Sequence, residues 1–322
     1  MFSFHIVLNI VHFVAISNVS KVIRKTEFLK HSKIKDLRVQ KKPYLVIVGI
    51  YLLSGLISLW FDLYRKIGYE QSSEHAAFGL LSDGYFIRSI VTIVVVYPIG
   101  ISGVFPLIFV VIFGLELLEC HESICMRLVE KLRFTPDNKT DGGTELAIEE
   151  KWAKRNGNHF GRNSFEEAFT LLKSSFRIYG NVGGAFSLIV VTWNSIILIH
   201  FFYLISTTKG DVMLLLDSSL YGVNSCFSLF LLAHFGNVLA DEINTNREIL
   251  WDAIGTQRKL PKNQNQDRME SRALAKWVYN WEWGLTAANA FRVNHGILPA
   301  VAGTVLTYFV VSFQLKVGTE YR

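Results

Sequence analysis

The chain has 322 residues, of which 50% are hydrophobic and only 19% charged, with a net charge of +6 and a mean hydropathy of +0.29. Its apolar residues are gathered into long runs instead of recurring at helix or strand spacing, a membrane composition that excludes an ordinary soluble core. A crossing helix needs about 20 mostly apolar residues, because every backbone polar group in hydrocarbon must be satisfied within its own segment.

Six stretches meet that need without one Asp, Glu, Lys or Arg: Met1 to Ser20, Pro43 to Phe61, Ser89 to Leu115, Ile178 to Thr208, Ser218 to Ala240 and Val293 to Leu315. They predict an all-α, polytopic transmembrane helical bundle over residues 1–322, with six crossings near 1–20, 43–61, 86–115, 180–206, 218–240 and 293–315. The first is read as a retained crossing and not a cleaved signal, because Lys21, Arg24 and Lys25 follow the apolar run instead of preceding it. The third holds Pro98, Gly100, Gly103 and Pro106 and invites division into two short crossings, so charge must decide the parity.

Lys and Arg near the ends of crossings favour the cytosolic side. With six crossings, the gap from Lys21 to Lys42 carries nine basic residues, that from Leu117 to Arg177 ten, and that from Asp241 to Arg292 eight, so 27 of 33 fall on one side. Dividing the third segment would destroy this asymmetry, so it is predicted as one long, bent helix with both termini of the chain outward. The positive charge then serves orientation, and no nucleic-acid surface is expected.

The cytosolic gaps hold apolar residues at helical spacing, such as Phe165, Phe169, Leu172 and Phe176, and are predicted as helical extensions packed below the membrane. Trp277, Trp281 and Trp283, ahead of the last crossing, fit an interfacial aromatic belt better than a packing surface. Asp217 is expected to cap the fifth crossing. Asn138 to Thr140 forms a glycosylation acceptor that this topology leaves cytosolic and unmodified.

Cys120, Cys125 and Cys226 imply no disulfide framework, and no second ligand pair accompanies the Cys120 to Cys125 spacing, so no metal is assigned. There is no Gly-rich phosphate loop, no zinc-binding pair of histidines around a Glu and no nucleophile elbow. An enzyme is not expected, and no cofactor is assigned. His5, His12, His200 and His234 stand alone on apolar helices and read as packing residues or cavity liners.

The final crossing reads Thr307, Tyr308, Phe309, Val310, Val311, Ser312, Phe313, Gln314, Leu315. Thr-Tyr, five mostly apolar residues, then Gln and an apolar residue resembles the signature of the insect gustatory receptor family, within the seven-crossing insect chemoreceptor channel superfamily. Phe291, Val293, Asn294, Leu298, Gly303 and Val305 look like that family's approach to the motif, and Leu239 to Ile243 is similar to its exit from the penultimate crossing. One departure is Leu315, where the family usually has Phe. A second is length: the six crossings match the family's second through seventh, which puts Met1 outside, as the charge count does, and leaves the family's first crossing missing.

The resemblance implies a taste receptor of the plasma membrane, a homo- or heterotetrameric, ligand-gated non-selective cation channel whose subunits each give their last helix to a central pore. Independently of it, Thr307, Val310, Val311 and Gln314 are separated by three, four and seven residues and form one helical stripe. Leu315 is the expected closed constriction and Gln314 the adjoining polar ring. The implied ligand, a small tastant such as a sugar or bitter compound, binds in the outer half of the bundle, where Trp60, Tyr85, Tyr97, Trp193, Tyr203, Tyr221 and Asn224 supply aromatic and polar groups.

Two other readings stand beside this one. A G-protein-coupled receptor requires an intracellular C-terminus and seven crossings, and its acidic-Arg-aromatic triplet and terminal Asn-Pro motif are not found in this sequence. A truncated subunit that assembles without conducting is the other.

Overall fold

The structure, a computed structural model, describes residues 41–68, 97–133, 162–207, 212–257 and 266–320. These form helices α1 (Lys41–Gly68), α2 (Tyr97–Arg133), α3 (Arg162–Thr207), α4 (Val212–Gln257) and α5 (Gln266–Tyr279), a hairpin of strands β1 (Thr286–Ala287) and β2 (Phe291–Arg292), and helix α6 (Ile297–Glu320). The first predicted crossing lies outside the described residues. Among the described residues three helical segments, Phe165–Ser206, Leu214–Thr256 and Ile297–Gln314, are long and apolar enough to cross a membrane, and Pro43–Ile57 is a shorter apolar helix.

Helices α3 and α4 have 46 residues each. At 1.5 Å per residue each is roughly 70 Å long, more than twice the ~30 Å of a hydrocarbon core, so each carries a crossing and a polar extension in one continuous rod. Pro106 lies inside α2 without ending it, which keeps the Pro- and Gly-bearing segment as one helix over its described part. Helix α4 begins at Val212, five residues ahead of Asp217, so that residue lies within the helix and does not cap it.

Contacts fix the directions of the helices. Tyr44 meets Phe235, Tyr51 meets Phe227 and Ser54 meets Asn224, so α1 descends the sequence of α4 as it ascends its own. Phe109 packs on Phe186 at 5.0 Å and His121 faces Phe176 at 6.3 Å, so α2 and α3 are likewise antiparallel. The end of α2, the start of α3 and the end of α4 therefore share one end of the bundle, and α1 and α6 begin level with the middle of α4, beside Phe235 and Gly236. The described parts of the second and third basic-rich gaps, 117–133, 162–177, 241–257 and 266–292, lie on that side of the bundle.

The core has two levels. Between the crossings, Leu107, Val110 and Val111 of α2, Phe186 and Val190 of α3, and Leu231, Leu232 and Phe235 of α4 are buried, and Tyr179 donates a hydrogen bond to the Val110 carbonyl at 2.7 Å. Below them, Leu128 and Leu132 of α2, the predicted stripe Phe165, Phe169, Leu172 and Phe176 of α3, Ile243 and Leu250 of α4, and Ala275 and Val278 of α5 form a second core. This second core is what the helical spacing in the polar gaps encodes.

Trp281 belongs to that core and not to a membrane-facing belt, half-buried Trp283 packs against it, and Trp277 touches it with one face while staying 39% exposed. Trp281 is 9% exposed and packs on Phe176 at 5.1 Å and Phe169 at 5.8 Å. Trp277 meets Phe169 at 4.7 Å and Trp283 meets Phe176 at 4.8 Å. An apolar stripe on α3 offers these rings a dry partner surface, and burial there outweighs a place at the headgroups.

Candidate functional site

The chain reaches α6 through the short hairpin. Thr286 pairs with Arg292 and Ala287 with Phe291, and the turn carries positive φ at Ala288 (48°) and Asn289 (62°), with Ala290 N–H donating to the Ala287 carbonyl at 2.9 Å. Two successive left-handed residues make the tight turn whose twist suits paired strands. Ala at the first of them is costly, and neighbouring structure holds it: Gly184 of α3 lies directly against the Thr286 carbonyl, and Gly236 of α4 against the Val293 carbonyl. No side chain has room at either position. The last helix thus starts at Ile297, after a turn at 294–296, and not at Val293.

Helix α6 is held by one face. Ile297, Val301 and Val305 are buried at four-residue spacing, and Phe309 continues that line to meet Phe202 of α3 at 5.7 Å. Thr307, Val310, Val311 and Gln314 lie on the opposite side and are exposed, Val310 by 48% and Val311 by 46%. Tyr308 is 56% exposed, and Leu306 and Phe313 are also open, so among the described residues few pack on the outer half of α6 outside its inner line. Within that open surface the Thr307 to Gln314 stripe carries polar side chains at both ends; the Thr307 hydroxyl donates back to the Gly303 carbonyl at 2.8 Å.

The expected ligand groups are scattered more widely. Asn224 is half-buried between α4 and α1, where the Ser54 hydroxyl stands 2.9 Å from its Oδ1 and 2.8 Å from the Tyr51 carbonyl. One helical turn on, Ser228 Oγ stands 2.6 Å from the Tyr51 hydroxyl and 2.8 Å from the Asn224 carbonyl. Tyr51, Ser54, Asn224 and Ser228 therefore make a polar seam inside an apolar bundle. Tyr221 is half-buried one turn before Asn224, and Trp193 is half-buried on α3. Trp60 and Tyr203 face outward, 62% and 48% exposed. Tyr85 lies outside the described residues, as do the side chains of Tyr97 and Leu315.

Sequence reasoning missed Tyr51, Ser54 and Ser228. The available signal was polar side chains at three- and four-residue spacing on otherwise apolar helices, which marks an interhelical seam.

At the opposite end His121 is fully buried, with Nδ1 3.4 Å from Asn246 Nδ2 and Nε2 3.7 Å from Cys125 Sγ, and its ring tilts against Trp281 at 5.7 Å. It lies below the crossing, and burial together with the Arg247 charge lowers its pKa to about 4. Burial, reinforced by Glu122, pushes the Cys125 thiol up to about 12. Both groups are neutral at physiological pH, the reverse of an ion-paired nucleophile. Arg247 donates to the Tyr279 carbonyl at 2.8 Å, pairs with Glu282 at 3.3 Å and lies over the Tyr279 ring at 5.2 Å, tying α4 to the end of α5.

No family model and no curated protein matches the chain. Among solved structures, the chain is similar to the insect olfactory receptor OR5 from Machilis hrabei in complex with eugenol, with a TM-score of 0.59 and 14% identity, covering 93% of this chain and 69% of that one. A second structure of the insect olfactory receptor OR5 from Machilis hrabei gives a TM-score of 0.57 at 13% identity, covering 93% of this chain and 68% of that one. At such identity the likeness speaks for the fold: this all-α bundle is folded as an insect olfactory receptor is folded.

Proposed function

We propose that this chain is a subunit of a small-molecule-gated cation channel of the plasma membrane, a chemoreceptor of gustatory type. The observation that carries the reading is the one-sided attachment of α6. Its inner line, Ile297, Val301, Val305 and Phe309, packs on its own bundle, while the stripe Thr307, Val310, Val311 and Gln314 is left open and polar at both ends. A polar stripe facing lipid is unfavourable, and one facing three copies of itself, or related subunits, lines a path that water and cations can enter. The Thr-Tyr to Gln signature and the olfactory-receptor fold support the same reading.

In this arrangement Leu315 closes the pore by dewetting and Gln314 supplies the adjoining polar ring. The ligand is a small tastant, and Asn224, beside Tyr221 and the Tyr51, Ser54 and Ser228 seam, is the leading contact. Expression of the full chain, alone and with an established insect chemoreceptor subunit, followed by whole-cell recording against a panel of sugars and bitter compounds, tests it. The expected result is a ligand-evoked inward cation current. A chain that reaches the cell surface and yields no current in either setting overturns the channel reading.

A further inference from the structure

We propose that His234 and His295 form a binding site for a late first-row divalent cation, Zn2+ foremost, at the foot of α6. His234 is half-buried on α4 and His295 is exposed in the turn before α6, 61 positions further along the chain. Their ring centroids are 6.0 Å apart with the planes tilted by 33°. A zinc–imidazole bond is about 2.0–2.1 Å, so two rings sharing one ion hold their centroids roughly 5–6.5 Å apart. The observed spacing falls within that range.

The pair is also held in place. Val293 and Gly236 make a backbone contact closer than any side chain allows, and each histidine stands two residues from it, His234 before Gly236 and His295 after Val293. The turn between is fixed by three hydrogen bonds: Gly296 N–H to Asn294 Oδ1 at 2.9 Å, Ile297 N–H to the Asn294 carbonyl at 3.1 Å and Leu298 N–H to the His295 carbonyl at 3.1 Å. The Phe230 ring lies 6.0 Å from His234 and 6.2 Å from His295, bounding the pair on one side. The backbone that carries both ligands is therefore already ordered by the fold, which lowers the cost of binding.

Neutral imidazole suits Zn2+, Cu2+ and Ni2+, and the harder Mg2+ and Ca2+ prefer oxygen. Among the described residues no group of three or more His, Cys, Asp and Glu is assembled, so the two imidazoles are the protein ligands and water fills the other positions, one protein ligand fewer than in a catalytic zinc site. Such an ion bridges α4 to the start of α6 and restrains that helix at its base. The site stands whether or not the chain conducts.

The test is calorimetric titration of the full-length chain in lipid nanodiscs with ZnCl2, for the natural chain and the His234→Gln, His295→Gln and His200→Gln variants. The tightest Zn2+ site is expected to weaken at least about tenfold in each of the first two and to be unchanged in His200→Gln, with thermal unfolding confirming that all are folded. Cu2+ electron paramagnetic resonance gives a second reading: coupling to two nitrogen ligands in the natural chain, falling to one in either of the first two variants. Unchanged Zn2+ affinity in both variants, no Zn2+ binding by the natural chain, or Cu2+ spectra that the substitutions leave alone would each overturn the proposal.

Discussion

The Val293 carbonyl oxygen rests on the backbone of Gly236 where a Cβ would overlap it. This contact locks the approach to α6 onto α4, between the hairpin and the turn that starts the last helix. Gly236→Ala is expected to destabilise the chain by about 1–3 kcal/mol, the usual cost of forcing atoms into a filled space. Gly255, near the end of α4, has nothing within 4 Å of a built Cβ. Gly255→Ala is expected to be neutral or to stabilise by up to ~1 kcal/mol through helix propensity. Thermal unfolding of the two variants in detergent measures the contrast, and equal effects would contradict it.

Trp281, just beyond α5, packs on two helices, with His121 of α2 at 5.7 Å and Phe169 and Phe176 of α3 at 5.8 and 5.1 Å. Trp281→Ala is expected to cost about 3–5 kcal/mol, as large aromatic deletions in packed cores do. Trp251 stacks on Tyr279 but is 43% exposed, so its replacement by Ala should cost clearly less. Denaturant unfolding followed by fluorescence ranks the two.

The buried His121 makes stability depend on pH. Its pKa falls from 6.5 to about 4 on folding, first by desolvation and then by the Arg247 charge. The unfolded chain therefore binds the proton more readily, and the stability present above pH 6.5 is lost progressively as pH falls toward 4. A melting-temperature series over that window should show the fall, and His121→Gln should flatten it.

Shortening the side chain at the expected constriction should loosen the closed state. Leu315→Ala is expected to raise unstimulated current several-fold at equal surface expression, because a wider apolar ring dewets less readily. Basal current no higher than that of the natural chain would argue against Leu315 as the gate.

Asn224 and Trp60 are both candidate ligand groups from the sequence, and the fold separates them. Asn224→Ala removes a half-buried amide from the α1–α4 seam and should shift ligand potency by about tenfold, the worth of a hydrogen bond of ~1.4 kcal/mol. Trp60→Ala, at a position 62% exposed, should leave potency unchanged. Dose–response curves for an active compound decide between them.

The amino-acid order alone determined that this chain is a polytopic all-α bundle, because charge-free runs of crossing length have one stable solution in a bilayer. It also marked the Phe165 to Phe176 stripe as a packed surface. What it could not contain was distance between segments remote in sequence. Trp281 and Trp283 read as part of a belt until α3 supplied rings to receive them. His234 read as solitary until the hairpin brought His295 to 6.0 Å, and Asn224 was one polar residue among several until α1 set Ser54 against it. The hairpin itself has only two residues per strand, too few for a periodic pattern, and exists because Gly184 and Gly236 let two helices close on its backbone. Hydrophobic length and charge act locally and are written in the sequence; the partner of each side chain is chosen by packing, and only the folded chain decides it.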